Sequence, residues 1–449
     1  MALCAVAMVL GSFAQRLPCL QSARGPGGAL ELNWSNERPY ADYCYSDVIA
    51  LYTVDRLDQP GEIPYRTSWV SGAGPARQVQ YVEYPVLTGL LMWAGARAAQ
   101  GLAGGSAFAN LPAVVIYFDL IAIVLAASWL FVVGAVSALL GRARRYALAV
   151  ALSPLVIAQL FTNFDAVAVA LATGGLLAWS RRRPVLAGVL LGLGGAAKLY
   201  PLFFLIPLLV LCLRAGRLRA GSAALAGAAA SWAIVNAPIA LAYPSGWSYF
   251  WRFSVMRNAG LESIYSMFPY LTGLGLDRHL PAYGTPVGLN DLSGSLFVLA
   301  CLAICGVALS APRRPRLAPL CLLVVAAFLL TNKVYSPQYS LWLVPLAALA
   351  LPRWRLLAGW MIVDALVWLP TLAYQRPLSQ GGVSQGYLVA SVLVRDAALL
   401  AICGVVIAEI YRPARDRLRG DGEDDGCGGV LDGALDRVTL GRRGVIVAS

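Results

Sequence analysis

The chain has 449 residues, of which 59% are hydrophobic and 13% charged. Soluble domains carry roughly 25% charged residues, so a soluble globular fold is excluded, and a bilayer is the solvent that absorbs this much apolar surface. The net charge of +12 is then the positive-inside excess of cytoplasmic loops, and not a nucleic-acid surface, because no zinc-finger spacing, RNA-binding signature or basic helical stripe accompanies it.

The first apolar stretch runs from Met1 to Leu17 with only Arg16 near its end. It lacks the basic n-region and A-x-A site of a signal peptide and reads as a first transmembrane helix. The missing upstream basic residues lead to the expectation of a late start. A long outer loop follows, from about 19 to 111. Cys19 and Cys44 both fall in it, and in an oxidising compartment they either bond to each other or remain thiols. Cys4, Cys212, Cys301, Cys305, Cys321 and Cys403 lie in apolar runs and read as small hydrophobes.

Residues 84–100 of the loop are apolar enough to be a span, but counting them would move Arg142, Arg144 and Arg145 outside. They are expected instead as a juxtamembrane helix in the outer interface. Further spans are expected at 112–140, 146–161, 163–179, 184–198, 200–213, 220–242, 293–310, 317–332, 338–351, 356–372 and 387–411. Several fall short of the roughly 20 residues a lone span needs, which is tolerable where a short helix lines a cavity.

Six arginine clusters punctuate these spans, at 142–145, 181–183, 214–219, 313–316, 353–355 and 412–419. An out-and-back pair of helices separates each from the next, so all six face the cytoplasm and look like anchors only. The expected fold is an all-α polytopic bundle of about twelve spans with both ends inside. A second outer loop runs from about 243 to 292, short outer connections fall at 332–338 and 373–386, and tight apices fall near 162 and 199. Beyond 412 the tail (GDGEDDGCGG) is charged, Gly-rich and expected to be disordered in the cytoplasm.

The outer side gathers the unusual polar residues. Lys198 and Lys333 are the only lysines and sit where positive-inside logic disfavours them. Either an anionic ligand calls for them or they snorkel to headgroups. Asp47, within Tyr43-Cys44-Tyr45-Ser46-Asp47, opens an apolar stretch and is either a helix cap or a catalytic base at the membrane surface. Glu83 before Tyr84-Pro85 poses the same choice. Asp165, after Asn163-Phe164, either pairs with Lys198 across adjacent hairpins or belongs to a site, and the two are compatible. The second loop adds Trp247, Tyr249, Trp251, Arg252 and Arg257, suited to stacking a sugar and holding a phosphate. His279, the sole histidine, reads as an exposed loop residue. No Walker loop, dinucleotide fingerprint, HExxH or GxSxG occurs in a suitable context. No DxD pair lies outside, which argues against a nucleotide-sugar donor held through a metal.

The segments CYSDVIALY (44–52), YVEYPVLTG (81–89), NFDAVAVALA (163–172), RRRPVLAGVLLGLGGAAKLYP (181–201) and NKVYSPQYSLWLVPL (332–346) resemble the integral-membrane glycosyltransferases of family 87. That family belongs to the GT-C superfamily and includes actinobacterial polyprenol-phosphate-mannose-dependent α-mannosyltransferases. The resemblance runs over residues 1–411 with the motifs in the same order. It implies a GT-C fold whose long first outer loop bears juxtamembrane helices, a lipid-monophosphate sugar donor, and inverting transfer. It also implies an essential Asp early in the first loop, a position that falls here on Asp47. The Arg-heavy, Ala-, Gly- and Leu-rich usage suits a high-GC actinobacterium.

The expected mechanism gives Asp47 the role of general base toward an acceptor hydroxyl. Lys198, Lys333 and Arg257 stabilise the leaving lipid phosphate. Glu83 and Gln338 orient sugar hydroxyls, and Asp165 and Tyr335 complete the binding set. A monophosphate gripped by fixed cations calls for no metal and no cofactor. The partners are then a polyprenyl-phosphate sugar, a lipid- or glycan-linked acceptor, and membrane lipids, at a multi-pass position in the cell membrane. The alternative is a secondary transporter of a small anionic solute, but residues 1–220 and 221–411 show no repeat. A non-catalytic scaffold leaves the two outer lysines unexplained.

Overall fold

The computed structural model describes the chain except residues 26, 27, 29, 73, 75, 76, 109, 275–284, 420–426, 442–445 and 449. His279 therefore lies outside the described residues. The chain opens with α1 (Ala2–Arg16). The first loop then carries the hairpin β1 (Ser22–Arg24) to β2 (Leu30–Leu32), the helices α2 (Arg38–Ala41) and α3 (Asp47–Val54), the hairpin β3 (Trp69–Ser71) to β4 (Gln78–Gln80), and α4 (Val86–Ala103).

The bundle continues with α5 (Ala113–Leu140), α6 (Leu148–Ala151), α7 (Pro154–Gln159), α8 (Asp165–Ser180), α9 (Pro184–Ala197), α10 (Leu205–Arg214) and α11 (Leu218–Ala242). The second loop holds α12 (Pro244–Trp247), α13 (Tyr249–Met256) and α14 (Ile264–Thr272). Last come α15 (Val287–Ser310), α16 (Leu317–Thr331), α17 (Ser340–Ala350), α18 (Trp354–Leu366), α19 (Trp368–Tyr374), α20 (Gln385–Tyr411) and the tail hairpin β5 (Val438–Leu440) to β6 (Ile446–Ala448). Proline sets several of these starts: Pro154, Pro184 and Pro244 occupy the first turns of α7, α9 and α12, where the missing N–H costs nothing and the fixed φ suits a helix.

Among the described residues, six segments are long and apolar enough to cross a bilayer: Ala2–Leu20, Ala113–Ala151, Leu218–Ala242, Val287–Ser310, Trp354–Tyr374 and Gln385–Tyr411. Four shorter apolar helices, Asp165–Ser180, Pro184–Ala197, Tyr200–Arg214 and Leu317–Thr331, fill in between. The molecule is a helical polytopic membrane protein. Its short helices sit among the long ones, with Trp179 of α8, Leu191 of α9 and Leu320 of α16 all enclosed. That is the setting in which sub-length helices are tolerated.

Helices α9 and α11 approach at backbone distance. A Cβ on Gly188 would run into the Ala224 carbonyl, one on Gly192 into the Ala228 carbonyl, and one on Gly227 would meet Val185 O at 2.6 Å. Between membrane helices there is little hydrophobic drive, so close packing of small residues and interhelical hydrogen bonds do the work. Ser231 Oγ supplies one such bond to Val189 O at 3.0 Å.

Described residues of the tail make ion pairs with the bundle. Asp436 bridges Arg214 at 2.7 Å and Arg314 at 2.8 Å, and Asp416 pairs with Arg316 at 2.7 Å. Burial pushes the Asp416 carboxyl up, but Arg316 outweighs it and leaves it below the usual range. The arginines read as anchors are thus partners of the tail's acids, and low hydrophobicity does not stop a segment from docking when buried counter-charges wait for it.

Gly188→Leu is expected to cost about 3 kcal/mol, the upper end of the usual overpacking range, because it meets backbone, read as a lowered midpoint of heat-induced aggregation in detergent. Gly134→Ala in α5, with open space around it, should leave the midpoint unchanged or raise it.

Candidate active site

Asp47 stands in the first turn of α3, where the N-cap position is Ser46 and no side chain makes a capping bond. The segment is fixed by its backbone instead. Asp47 N–H donates to Thr162 O at 2.7 Å, and Ser46 Oγ donates to Phe161 O at 2.6 Å. Both acceptors belong to the turn between α7 and α8, the apex foreseen near 162. The carboxylate is therefore free of the helix end and faces side chains. Tyr45 Oη donates to Oδ1 at 2.9 Å, and Asn163 Nδ2 donates to Oδ2 at 2.7 Å. Asn163 Nδ2 also donates to Tyr84 Oη at 2.7 Å.

Cys19 and Cys44 form a disulfide with Cα atoms 5.6 Å apart, which resolves the choice left open by the sequence. It ties the turn after α1 to the irregular segment that leads into Asp47.

Lys198 follows α9, and its Nζ lies 3.3 Å from Asp165 Oδ2, 5.4 Å from the centre of the Tyr84 ring and 5.1 Å from that of Tyr339. The other Asp165 oxygen accepts from Trp342 Nε1 at 2.6 Å. Trp342 is itself stacked on Tyr200 and on Tyr339, with both centroids 4.2 Å away. An ammonium between ring faces gains from their quadrupoles without losing its charge.

Lys333 is buried. Its Nζ donates to Asn290 Oδ1 at 2.5 Å and to Val255 O at 3.1 Å, which ties the segment after α16 to the second loop. The same segment accepts from Gly260 N–H through Lys333 O at 2.7 Å. Arg257 ends α13 exposed, with its guanidinium 5.7 Å from the Phe253 ring.

These elements enclose a cavity of about 380 Å³. Asp47, Glu83, Lys198, Arg257, Lys333 and Gln338 all line it. Two predicted residues do not line it. Asp165 is buried behind Lys198 and Trp342, which it holds through its two oxygens. Tyr335 turns inward: the Arg395 guanidinium lies 3.6 Å over its ring, and its hydroxyl lies 3.2 Å from Ser340 Oγ. The reason is a buried charge cluster, in which Arg395 also pairs with Glu262 at 3.1 Å and Asp396 at 3.0 Å. Such a guanidinium keeps an aromatic face as well as its carboxylates, and Tyr335 is that face.

The sequence reading missed the residues that act by contact with the named ones. Asn163 and Tyr45 hold the carboxylate; Tyr339 and Trp342 hold the lysine side. Phe250, Trp251 and Phe253 of α13 form an apolar wall of the cavity. Asn163 and Tyr45 stood beside acids in their motifs, which was the available signal. Trp251 was marked among the stacking aromatics of the second loop, Tyr339 and Trp342 lay within the 332–346 motif, and Phe250 and Phe253 carried no signal.

The model of glycosyltransferase family 87 matches residues 83–332, more than half of the chain. The chain belongs to glycosyltransferase family 87. No curated protein matches it at a significant level. Family 87 membership makes the protein a glycosyltransferase, so the cavity must be weighed as a site of sugar transfer. The matched region holds Glu83, Asn163, Lys198 and Arg257, while Asp47 and the stretch from Lys333 to Tyr339 lie beyond its ends.

Burial raises the Asp47 carboxyl above its ordinary range, Asn163, Tyr45 and Lys198 pull it back, and Asp165 pushes it up again. Glu83 is raised by burial, lowered by Arg257 and raised by Asp47. Two acids in one cavity, both raised above the ordinary carboxyl range, are suited to proton transfer. A group that works as a base must be ionised, so activity is lost as pH falls through its raised pKa. Asn163→Ala removes a bond that favours the anion. The acidic limb of the pH–activity profile should move to higher pH, and a limb that stays in place would refute this role for Asn163.

Proposed function

We propose that this family 87 enzyme transfers a mannosyl residue from a polyprenyl-phosphate donor to a hydroxyl of a glycolipid or polysaccharide, with inversion. The reaction takes place at the extracytoplasmic face of the cell membrane, in a bundle of about twelve crossings with both ends of the chain in the cytoplasm. The observation that carries this reading is the meeting, in one cavity, of a carboxylate held by neutral donors with the cationic groups of Lys198, Lys333 and Arg257. Helix α13 adds support. It turns Trp251 and Phe253 to the cavity, and it exposes Val255 and Met256, an apolar path suited to a lipid tail. The Cys19–Cys44 bond favours an oxidising compartment for the first loop.

In the step, the acceptor oxygen attacks the anomeric carbon from the face opposite the phosphate, and its proton passes to Asp47. The bond from that carbon to the phosphate oxygen breaks, and the electron pair leaves with polyprenyl phosphate. Lys198, Lys333 and Arg257 stabilise the charge that grows on the leaving group. Asp165 holds Lys198 in place, and Glu83 and Gln338 orient sugar hydroxyls.

Purified protein given polyprenyl-phosphate mannose and a glycolipid extract should release polyprenyl phosphate. Asp47→Asn should lower turnover by about 10²–10⁴-fold with the folded protein retained. Arg257→Ala should act mainly on the KM for donor. Full transfer by Asp47→Asn would overturn the assignment of the base.

A further inference from the structure

Arg16 closes α1, and its side chain is fully enclosed. Among the described residues it has no ion-pair partner. Nη1 donates to Tyr45 O at 2.7 Å, and Nη2 donates to Ala158 O at 2.6 Å and to Thr162 Oγ1 at 2.7 Å. Its guanidinium also lies 5.6 Å from the centre of the Trp368 ring. Neutral acceptors and a ring face do not cancel a full charge withdrawn from water. A cation kept in such a place calls for a reason beyond packing.

Its acceptors supply one. Tyr45 lies two residues before Asp47 and gives its phenol hydrogen bond to Asp47 Oδ1. The Thr162 carbonyl receives the Asp47 N–H, and the next residue, Asn163, donates to Asp47 Oδ2. Both chains that hold the carboxylate are thus gripped from behind by one guanidinium, and the carboxylate charge that reaches Arg16 is that of Asp47. The disulfide repeats the fastening covalently, since Cys19 lies three residues after Arg16 and Cys44 three before Asp47.

We propose that Arg16 is a positioning residue for the base: it fixes the two chain segments on either side of the Asp47 carboxylate, so that Tyr45 and Asn163 stay aimed at its two oxygens. The proposal rests on the reading of Asp47 as general base. The groups that act on Asp47 are Tyr45 from its own stretch, Asn163 and Asp165 around the start of α8, and Lys198 after α9; its own charge in turn reaches Tyr40, Asp55 at the end of α3, Glu83 and Tyr84 before α4, and Arg16. Lys198 is already shared with Asp165. Arg16 does not line the cavity, so substrate contact is not its means of action.

The test is the pH profile of kcat for sugar transfer by the full-length protein, with Arg16→Met and Arg16→Lys beside the unaltered chain. Thiol titration shows whether the Cys19–Cys44 bond is intact in each. Arg16→Met should loosen the Tyr45 and Asn163 bonds that favour the anion and so move the acidic limb up by about one pH unit, the scale on which such bonds act. It should also lower kcat about tenfold at a pH one unit above the original limb, and leave the KM for donor within about twofold. Arg16→Lys should restore the limb while recovering only part of the rate. If Arg16→Met does not accumulate, Arg16→Gln, neutral but able to donate one hydrogen bond, takes its place. A rate that falls equally at every pH, with the limb unmoved, would reduce Arg16 to a packing residue and overturn the proposal. Asp47→Asn run in parallel separates the two readings: if it still transfers sugar, the base assignment fails, whereas if it is inactive and the Arg16 limb is fixed, only the role of Arg16 fails.

Discussion

The carboxylate of Asp47 is held by two neutral donors, Tyr45 and Asn163, and not by a direct ion pair among the described residues. That difference organises the site. A neutral hydrogen bond stabilises an anion by less than a contact with a cation does. Asp47 therefore stays basic while remaining fixed in place. Asp165, a short distance along α8 from Asn163, has the opposite fate. With Lys198 on one oxygen and the Trp342 indole on the other, its charge is spent on structure. The same residue type serves two purposes because its neighbours differ.

The cations are managed in a related way. Lys333 is engaged by an amide and a carbonyl, and Lys198 by one carboxylate and two ring faces. Neither falls onto Asp47 to close the cavity. Under the reaction proposed, an incoming phosphate meets a positive field whose groups are held apart in advance, so little reorganisation is needed as charge builds on the leaving group.

At the arginine-rich end of the bundle the logic is structural. Arg214 and Arg316 are buried, and each has a tail carboxylate and main-chain carbonyls around it. A buried guanidinium stripped of such partners would be costly, which explains why a polar, Gly-rich tail returns to the bundle at all. The α9–α11 contact solves a different problem, that of joining two helices in a solvent as apolar as their own side chains, and it does so with glycines.

Apolar runs broken by arginine already make the chain a membrane bundle, because they leave the backbone no other way to satisfy its hydrogen bonds in lipid. The sequence also marked Asp47, Glu83, Lys198, Arg257, Lys333 and Gln338, since each is a polar residue at odds with an apolar or positive-inside setting. Only the tertiary structure decided what those residues meet. Asn163 and Asp47 lie 116 positions apart, and no local pattern records a bond across that distance. Tyr335 shares a motif with Lys333 and Gln338, yet it faces Arg395 and not the cavity, because the buried Arg395–Glu262–Asp396 cluster takes its ring. The partners of Arg16, like those of the tail, were invisible for the same reason: a charge shows in the sequence, but what balances it is settled by which distant segments pack together.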